Sequence, residues 1–247
     1  MNLSSAQAKA FICFILAFIL TIFNSINAGD LSAKYSKPRK AISTYDKESS
    51  DANILYASAK LSFVGLSLNT FKLAMKGFTK LQSQHLISTD SIITIIDFEK
   101  SSSQKRMYVI DLKSKNVLFQ TLVSHGKNSG KEYARSFSND ESSYKSSLGF
   151  YITRNTYEGS NGYSLRLDGT EKGINDHAMA RAIVMHGAGY ASESTIYQIG
   201  YLGRSWGCPA LPEGLHIPII NKIKEGNLLF MYYPDETYLK TSTLING

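Results

Sequence analysis

Cysteine is nearly missing from this chain: 247 residues hold two, Cys13 and Cys208. That excludes a disulfide framework, and neither the Cys-x-x-Cys nor the paired Cys/His spacing of a structural zinc site occurs. Proline is scarce, with five residues, so no proline-rich linker or recognition segment can be drawn. There is a single tryptophan. No apolar run reaches the roughly 20 residues that a membrane-spanning helix needs. The basic residues are scattered and do not alternate with stacking aromatics, which argues against a nucleic-acid partner.

The longest apolar stretch is Ala10–Phe23. Lys9 is the only charge before Asp30, and Asn24-Ser25-Ile26-Asn27-Ala28 follows as a polar stretch ending on a small residue. The segment therefore reads as a secretory signal, cleaved after Ala28, despite an unusual Ile26 at the minus-three position. An uncleaved anchor is the competing reading, and with it the only expected membrane contact. Cleavage removes Cys13 and leaves Cys208 as a lone thiol in an exported protein destined for the periplasm or cell envelope. The formal charge of +7 and pI of about 9.2 suit an anionic envelope polymer, or simply solubility.

Four stretches are expected: a signal over 1–28, a polar lead-in and helical extension over 29–89, a main domain over 90–235, and a tail over 236–247. Within the second, Ala52–Gln84 reads as helical, with Leu68, Phe71, Met75, Phe78 and Leu81 at helical spacing. Ser67 is a candidate N-cap, and Lys72, Lys76 and Lys80 mark a second face, read as solvated. From residue 91 the period changes. Ile92–Phe98, Met107–Leu112, Val117–Val123, Gly149–Arg154, Tyr163–Leu167, Arg181–Met185 and Leu228–Tyr233 read as strands. Residues 124–148 form a long Ser/Gly/Lys loop, and a loop that long is more often functional than idle. Ile217–Glu225 reads as a short helix with Pro218 in its first turn and Gly226 as terminator. The fold class is mainly β, α+β overall, with a helical N-terminal extension.

Chemistry concentrates at Ser205-Trp206-Gly207-Cys208-Pro209. A free thiol is a few per cent ionised at neutral pH, so a nucleophilic Cys208 needs a base. His186 is the best candidate. It ends an apolar run, precedes Gly187, and lies 22 residues before the cysteine. Gly207 permits a turn closed to other residues, and the backbone N–H groups of Gly207 and Cys208 are expected oxyanion donors. His125-Gly126 repeats the His-Gly pair at the end of an earlier strand and is read as a decoy. His85, His177 and His216 are read as structural or surface residues. Asp176-His177 with His186 and Cys208 lacks short ligand spacing, so no metal or organic cofactor is expected.

Met185-His186-Gly187-Ala188 followed by Ser205-Trp206-Gly207-Cys208 resembles the active-site signature of the L,D-transpeptidases. Val123-Ser124-His125-Gly126-Lys127 and Lys145-Ser146-Ser147-Leu148-Gly149-Phe150-Tyr151 resemble two earlier landmarks of that family. The branch described as murein L,D-transpeptidase catalytic domain proteins, with Gly-Cys-Pro-Ala-Leu-Pro at the nucleophile, is most similar, and the resemblance covers 90–235. It implies a β-sandwich-type catalytic domain acting on peptidoglycan stem peptides. Cys208 would be the nucleophile that releases D-alanine from a tetrapeptide, and His186 base, then acid. Gly187 would let backbone carbonyls orient the imidazole, Ser205 would support the pocket, and a second stem's amine would complete a 3→3 cross-link. Two departures stand out. Ala210 occupies a position where most members carry Arg, which leaves Arg204 or Arg181 to hold a substrate carboxylate. Trp206 replaces a second histidine and either stacks on substrate or packs, packing being preferred. Two rivals share these residues: an L,D-carboxypeptidase using water as acceptor, and a non-catalytic peptidoglycan-binding module.

Overall fold

A computed structural model describes residues 44–88 and 91–246. The leader, Cys13 and the lead-in before Thr44 lie outside the described residues. From Glu48 on the chain forms one compact unit; of the unit before it, Thr44–Lys47 alone are described, as the start of α1.

Two helices precede the strands, α1 (Thr44–Ser58) and α2 (Leu68–Ser83), where the sequence reading expects one helix over Ala52–Gln84. The break has a local cause. Lys60 and Gly65 take left-handed backbone conformations (φ 53° and 75°), which no α-helix can contain. Ser67 restarts the helix, its side chain accepting from Thr70 N–H at 3.0 Å. The buried face of α2 is Phe71, Ala74, Gly77, Phe78 and Leu81. Each fully buried aromatic or leucine there contributes roughly 1.5–3 kcal/mol. Gly77 is required by packing: a Cβ would sit 2.2 Å from the Phe150 ring. The lysine face of α2 is not simply solvated, because Lys80 Nζ donates to Thr243 O at 2.9 Å and Lys76 Nζ to Ile245 O at 3.3 Å.

The eight strands join one mixed sheet in the order β3-β2-β1-β8-β4-β5-β6-β7. They are β1 (Ile92–Asp97), β2 (Met107–Asp111), β3 (Asn116–Thr121), β4 (Gly149–Gly159), β5 (Gly162–Gly169), β6 (Val184–Gly187), β7 (Ala210–Leu211) and β8 (Leu228–Tyr232). The mainly β domain behind helices is as the sequence implies. β1 is buried along its whole length, paired parallel to β8 and antiparallel to β2, with α2 and α4 (Glu213–Ile223) packed on it. Burial on both faces is why Ile92-Ile93-Thr94-Ile95-Ile96 is a continuous apolar run and does not alternate.

Two expected elements are shifted. Arg181–Met185 is not a strand: Ala182 is left-handed (φ 52°), so extension begins at Val184 and ends at Gly187. The helix expected over Ile217–Glu225 starts four residues earlier, after Pro212, which places Pro218 inside α4 and not in its first turn. Three apolar side chains, Ile219, Ile220 and Ile223, hold the helix against the core despite the missing N–H. The helix ends at Ile223, where Lys224 turns extended, and left-handed Glu225 and Gly226 (φ 65° and 92°) follow, so Gly226 is not its direct terminator. A short helix α3 (Glu193–Ile199) precedes β7, and residues 236–246, read as a tail, form α5 (Glu236–Thr241) and α6 (Thr243–Asn246). Tyr238, Leu244 and Ile245 are buried there. Buried Glu171 ties this segment down, accepting from Ser242 Oγ and Tyr238 OH as well as from Phe150 N–H.

Candidate active site

β6 and β7 run parallel, with His186 opposite Ala210 and Gly187 opposite Leu211. This pairing carries the end of β6 and the turn before β7 to one edge of the sheet. The turn is held by its own serine. Ser205 Oγ accepts from Gly207 N–H at 3.0 Å and donates to Cys208 O at 2.6 Å. Gly207 has φ 128°, and a Cβ there would meet Lys145 O at 2.8 Å and Ile183 Cδ1 at 2.9 Å. Only glycine fits. The long 124–148 loop clamps the turn from outside: Ser146 Oγ donates to Gly207 O at 3.0 Å, and Lys127 N–H to Ser205 O at 2.8 Å.

Cys208 is half-buried and free. Its sulfur accepts from Val184 N–H at 3.4 Å and points toward Ala182 O at 3.8 Å, the carbonyl that the left-handed residue turns inward. Burial pushes the thiol pKa up; Val184 N–H, the Arg181 charge and the cysteine's own N–H pull the other way without reversing it. The thiol is protonated at neutral pH. Gly207 N–H, expected as an oxyanion donor, is committed to Ser205, which leaves the N–H of Cys208, already facing the sulfur.

His186 is buried, 4% exposed. Its Nδ1 lies 2.9 Å from Gly187 O. A carbonyl can only accept, so Nδ1 carries the proton and Nε2 keeps its lone pair. Burial lowers the imidazole pKa, the Gly187 carbonyl partly opposes it, and the His216 ring adds a smaller lowering. The neutral, base-competent form is therefore the resting one. Among the described residues the partners of the sulfur are Val184 and Ala182, and the His186 ring is not one of them.

The other expected residues divide. Arg181 lies beside the sulfur but is spent on the loop, donating to Ser138 O, Ser147 Oγ, Ser143 Oγ and Lys145 O at 2.6–3.2 Å. Arg204 reaches Lys127 O and Gly130 O, on the outer side of the turn. Trp206 does not pack as expected: it is 70% exposed. His125 is not a base. It is fully buried, its Nδ1 takes a 2.8 Å hydrogen bond from buried Arg106 and its Nε2 faces Gly130 O, so both nitrogens are used. Burial and the Arg106 charge lower its pKa to about 3.

Two further residues lie beside the candidate base. His216, read as structural or surface, is half-buried and packs on Gly187: a Cβ there would fall 2.5 Å from its Nδ1. Its Nδ1 is bonded to Glu213 O at 2.7 Å. Tyr190 packs over Gly203 and Ala210, and its hydroxyl pKa is raised to about 12 by burial and by Cys208. Nothing in their spacing announces either residue. Gly187, a small residue after the histidine, was the only signal. Among the described residues no three His, Cys, Asp or Glu side chains converge as metal ligands do.

A family model described as L,D-transpeptidase catalytic domain matches residues 64–232. Among curated proteins no match is found. Similar solved structures include an L,D-transpeptidase from Mycobacterium smegmatis, 13% identical, TM-score 0.36, covering 58% of this chain and 59% of that one. The Enterococcus faecium L,D-transpeptidase is 14% identical with TM-score 0.35, covering 58% and 50%. The helical cell shape determining protein Pgp2 from Campylobacter jejuni is 13% identical with TM-score 0.39, covering 63% and 52%. The chain thus spans less than two thirds of each of these three. With TM-scores this low, placement rests on the match over 64–232.

Proposed function

Since the chain belongs to the L,D-transpeptidase catalytic domain family, we propose that it is an exported cysteine acyltransferase that forms 3→3 cross-links between peptidoglycan stem peptides. The observation that carries this reading is the β6–β7 pairing, which sets a part-exposed thiol and a neutral imidazole with an available Nε2 at one sheet edge. Export is proposed from the Ala10–Phe23 leader.

The thiol proton passes to His186 Nε2 once Cys208 has turned from Ala182 O toward the ring. The sulfur then adds to the carbonyl of the donor's third residue. Cys208 N–H donates to the oxyanion as it forms. The carbon–nitrogen bond breaks, His186 returns the proton to the departing amine, and a thioester remains. A side-chain amine of a second stem attacks the thioester, passing its proton to His186, and the thiol is restored. The Gly187 carbonyl holds Nδ1–H throughout, so the lone pair stays on Nε2. A protonated thiol and a neutral base need no preformed ion pair; the proton moves as the substrate excludes water.

Digestion of tetrapeptide muropeptides by the protein lacking residues 1–28, followed by mass spectrometry, tests the reading. Dimers joined 3→3 with release of D-alanine are expected. Tripeptides without dimers would mean that water is the acceptor, and unchanged muropeptides with folded protein would mean a binding module.

A further inference from the structure

The only tryptophan of the chain stands two residues before the nucleophile and is left out of the core. Trp206 does not stand alone. Its ring centroid is 5.5 Å from that of Tyr144, tilted by 57°. Lys127 Nζ lies 4.1 Å from the Tyr144 ring centroid and 5.6 Å from that of Trp206. Among the described residues no acceptor hydrogen-bonds that ammonium. The three side chains come from three separate stretches, and the backbone locks them together: Lys127 N–H donates to Ser205 O, Gly126 bridges Ser205, and Asn128 N–H donates to Tyr144 O at 3.1 Å.

Holding Tyr144 in place has a cost. Its φ is 54°, and that of Ser142 is 55°, left-handed values that disfavour residues with a Cβ. Strain of this kind persists where the surroundings over-determine it, and functional sites are where it gathers. An aromatic pair kept rigid, solvent-facing and crowned by a cation is built for a ligand with an apolar face and an oxygen-rich rim. A wholly apolar partner would strip water from the Lys127 ammonium and return no acceptor. A pyranose ring meets both demands: its axial C–H face lies on the indole or phenol, and its hydroxyl and N-acetyl oxygens accept from Lys127.

We propose that Trp206, Tyr144 and Lys127 form a subsite for an N-acetylated sugar of the glycan strand from which the donor stem hangs. This rests on the peptidoglycan reading above and deepens it: the protein would select stems attached to glycan over free peptides. Trp206 follows Ser205 and precedes Gly207, both buried in the turn, so a sugar on the platform and a stem peptide at Cys208 would be bound by one rigid unit.

Because Trp206 is the sole indole, its emission reports on this site alone. The full chain carrying Cys208→Ala, which cannot turn over, is titrated with an N-acetylglucosamine tetramer and, separately, with a sugar-free stem tetrapeptide. The tetramer is expected to shift and quench Trp206 emission saturably. Tyr144→Ala should weaken that response by about tenfold, the factor that corresponds to 1.4 kcal/mol, and the free tetrapeptide should leave emission unchanged. Lys127→Met serves as a second variant should Tyr144→Ala unfold. No saturable response to the tetramer, or an equal response to the sugar-free peptide, would overturn the proposal. Sugar binding is read without catalysis, so muropeptide cross-linking can succeed where this fails, and the reverse.

Discussion

Burial acts on Cys208 and His186 alike, favouring the uncharged form of each. Two outcomes follow at this scale. Alkylation of Cys208 by iodoacetamide should accelerate with pH through an inflection above the ordinary thiol range, and an inflection near or below neutrality would mean a preformed thiolate. The acid limb of kcat/KM should lie below the ordinary imidazole range, since a lowered His186 pKa keeps the base neutral as pH falls; it should be lost only when pH drops through that lowered value. Substitution separates the two His-Gly pairs. His186→Ala should cost about 10²- to 10⁴-fold in turnover, the usual worth of a general base. His125→Ala should leave turnover of the folded protein largely intact but cost stability, because Arg106 would lose a buried partner at about 1–3 kcal/mol. Denaturant midpoints alongside initial rates distinguish these, and equal loss of turnover from both variants would contradict the assignment. Cys208 and His186 could be proposed from the sequence as nucleophile and base, and His125 set aside, since chemistry restricts which residue types can serve. His216, Tyr190 and the platform partners of Trp206 were not legible there, because they reach the site from other segments with no spacing to mark them.

Helices and strands were legible where their period was long and missed where one backbone angle decided the matter. Phe71, Phe78 and Leu81 of the α2 stripe and its Ser67 cap followed from spacing and cap chemistry, as did the run of β1, whereas Leu68 of the expected stripe is exposed and Met75 half-buried. The false strand at 181–183 turned on left-handed Ala182, and the break between α1 and α2 on left-handed Lys60 as well as Gly65; Ala182 and Lys60 carry no glycine-like signal. Gly77 gives a test at this scale. In an isolated helix Gly→Ala is stabilising by about 1 kcal/mol. Here the added Cβ would meet Phe150 at 2.2 Å, so Gly77→Ala should instead destabilise by about 1–3 kcal/mol, the usual range for overpacking. Urea unfolding measures the sign directly, and a gain in stability would show that Phe150 moves aside freely.

The whole molecule closes on its last residues. Lys76, Lys80 and Glu171 bind α5 and α6 to the body, a union of distant residues that local sequence cannot display. Deleting 236–247 exposes the surfaces under Tyr238, Leu244 and Ile245 and should lower stability by about 5–9 kcal/mol at 1.5–3 kcal/mol per side chain. A truncated chain as stable as the full one would remove α5 and α6 from the folded body. The proposed reaction passes through a covalent step at one sulfur, and intact-mass spectrometry reads that step without regard to the acceptor. On brief incubation with a tetrapeptide muropeptide, the protein should gain the mass of the acyl group without its terminal residue, an adduct that peptide mapping places on Cys208 and that Cys208→Ala lacks. Folded protein that consumes the muropeptide with no such adduct, or carries it at another residue, would contradict the account.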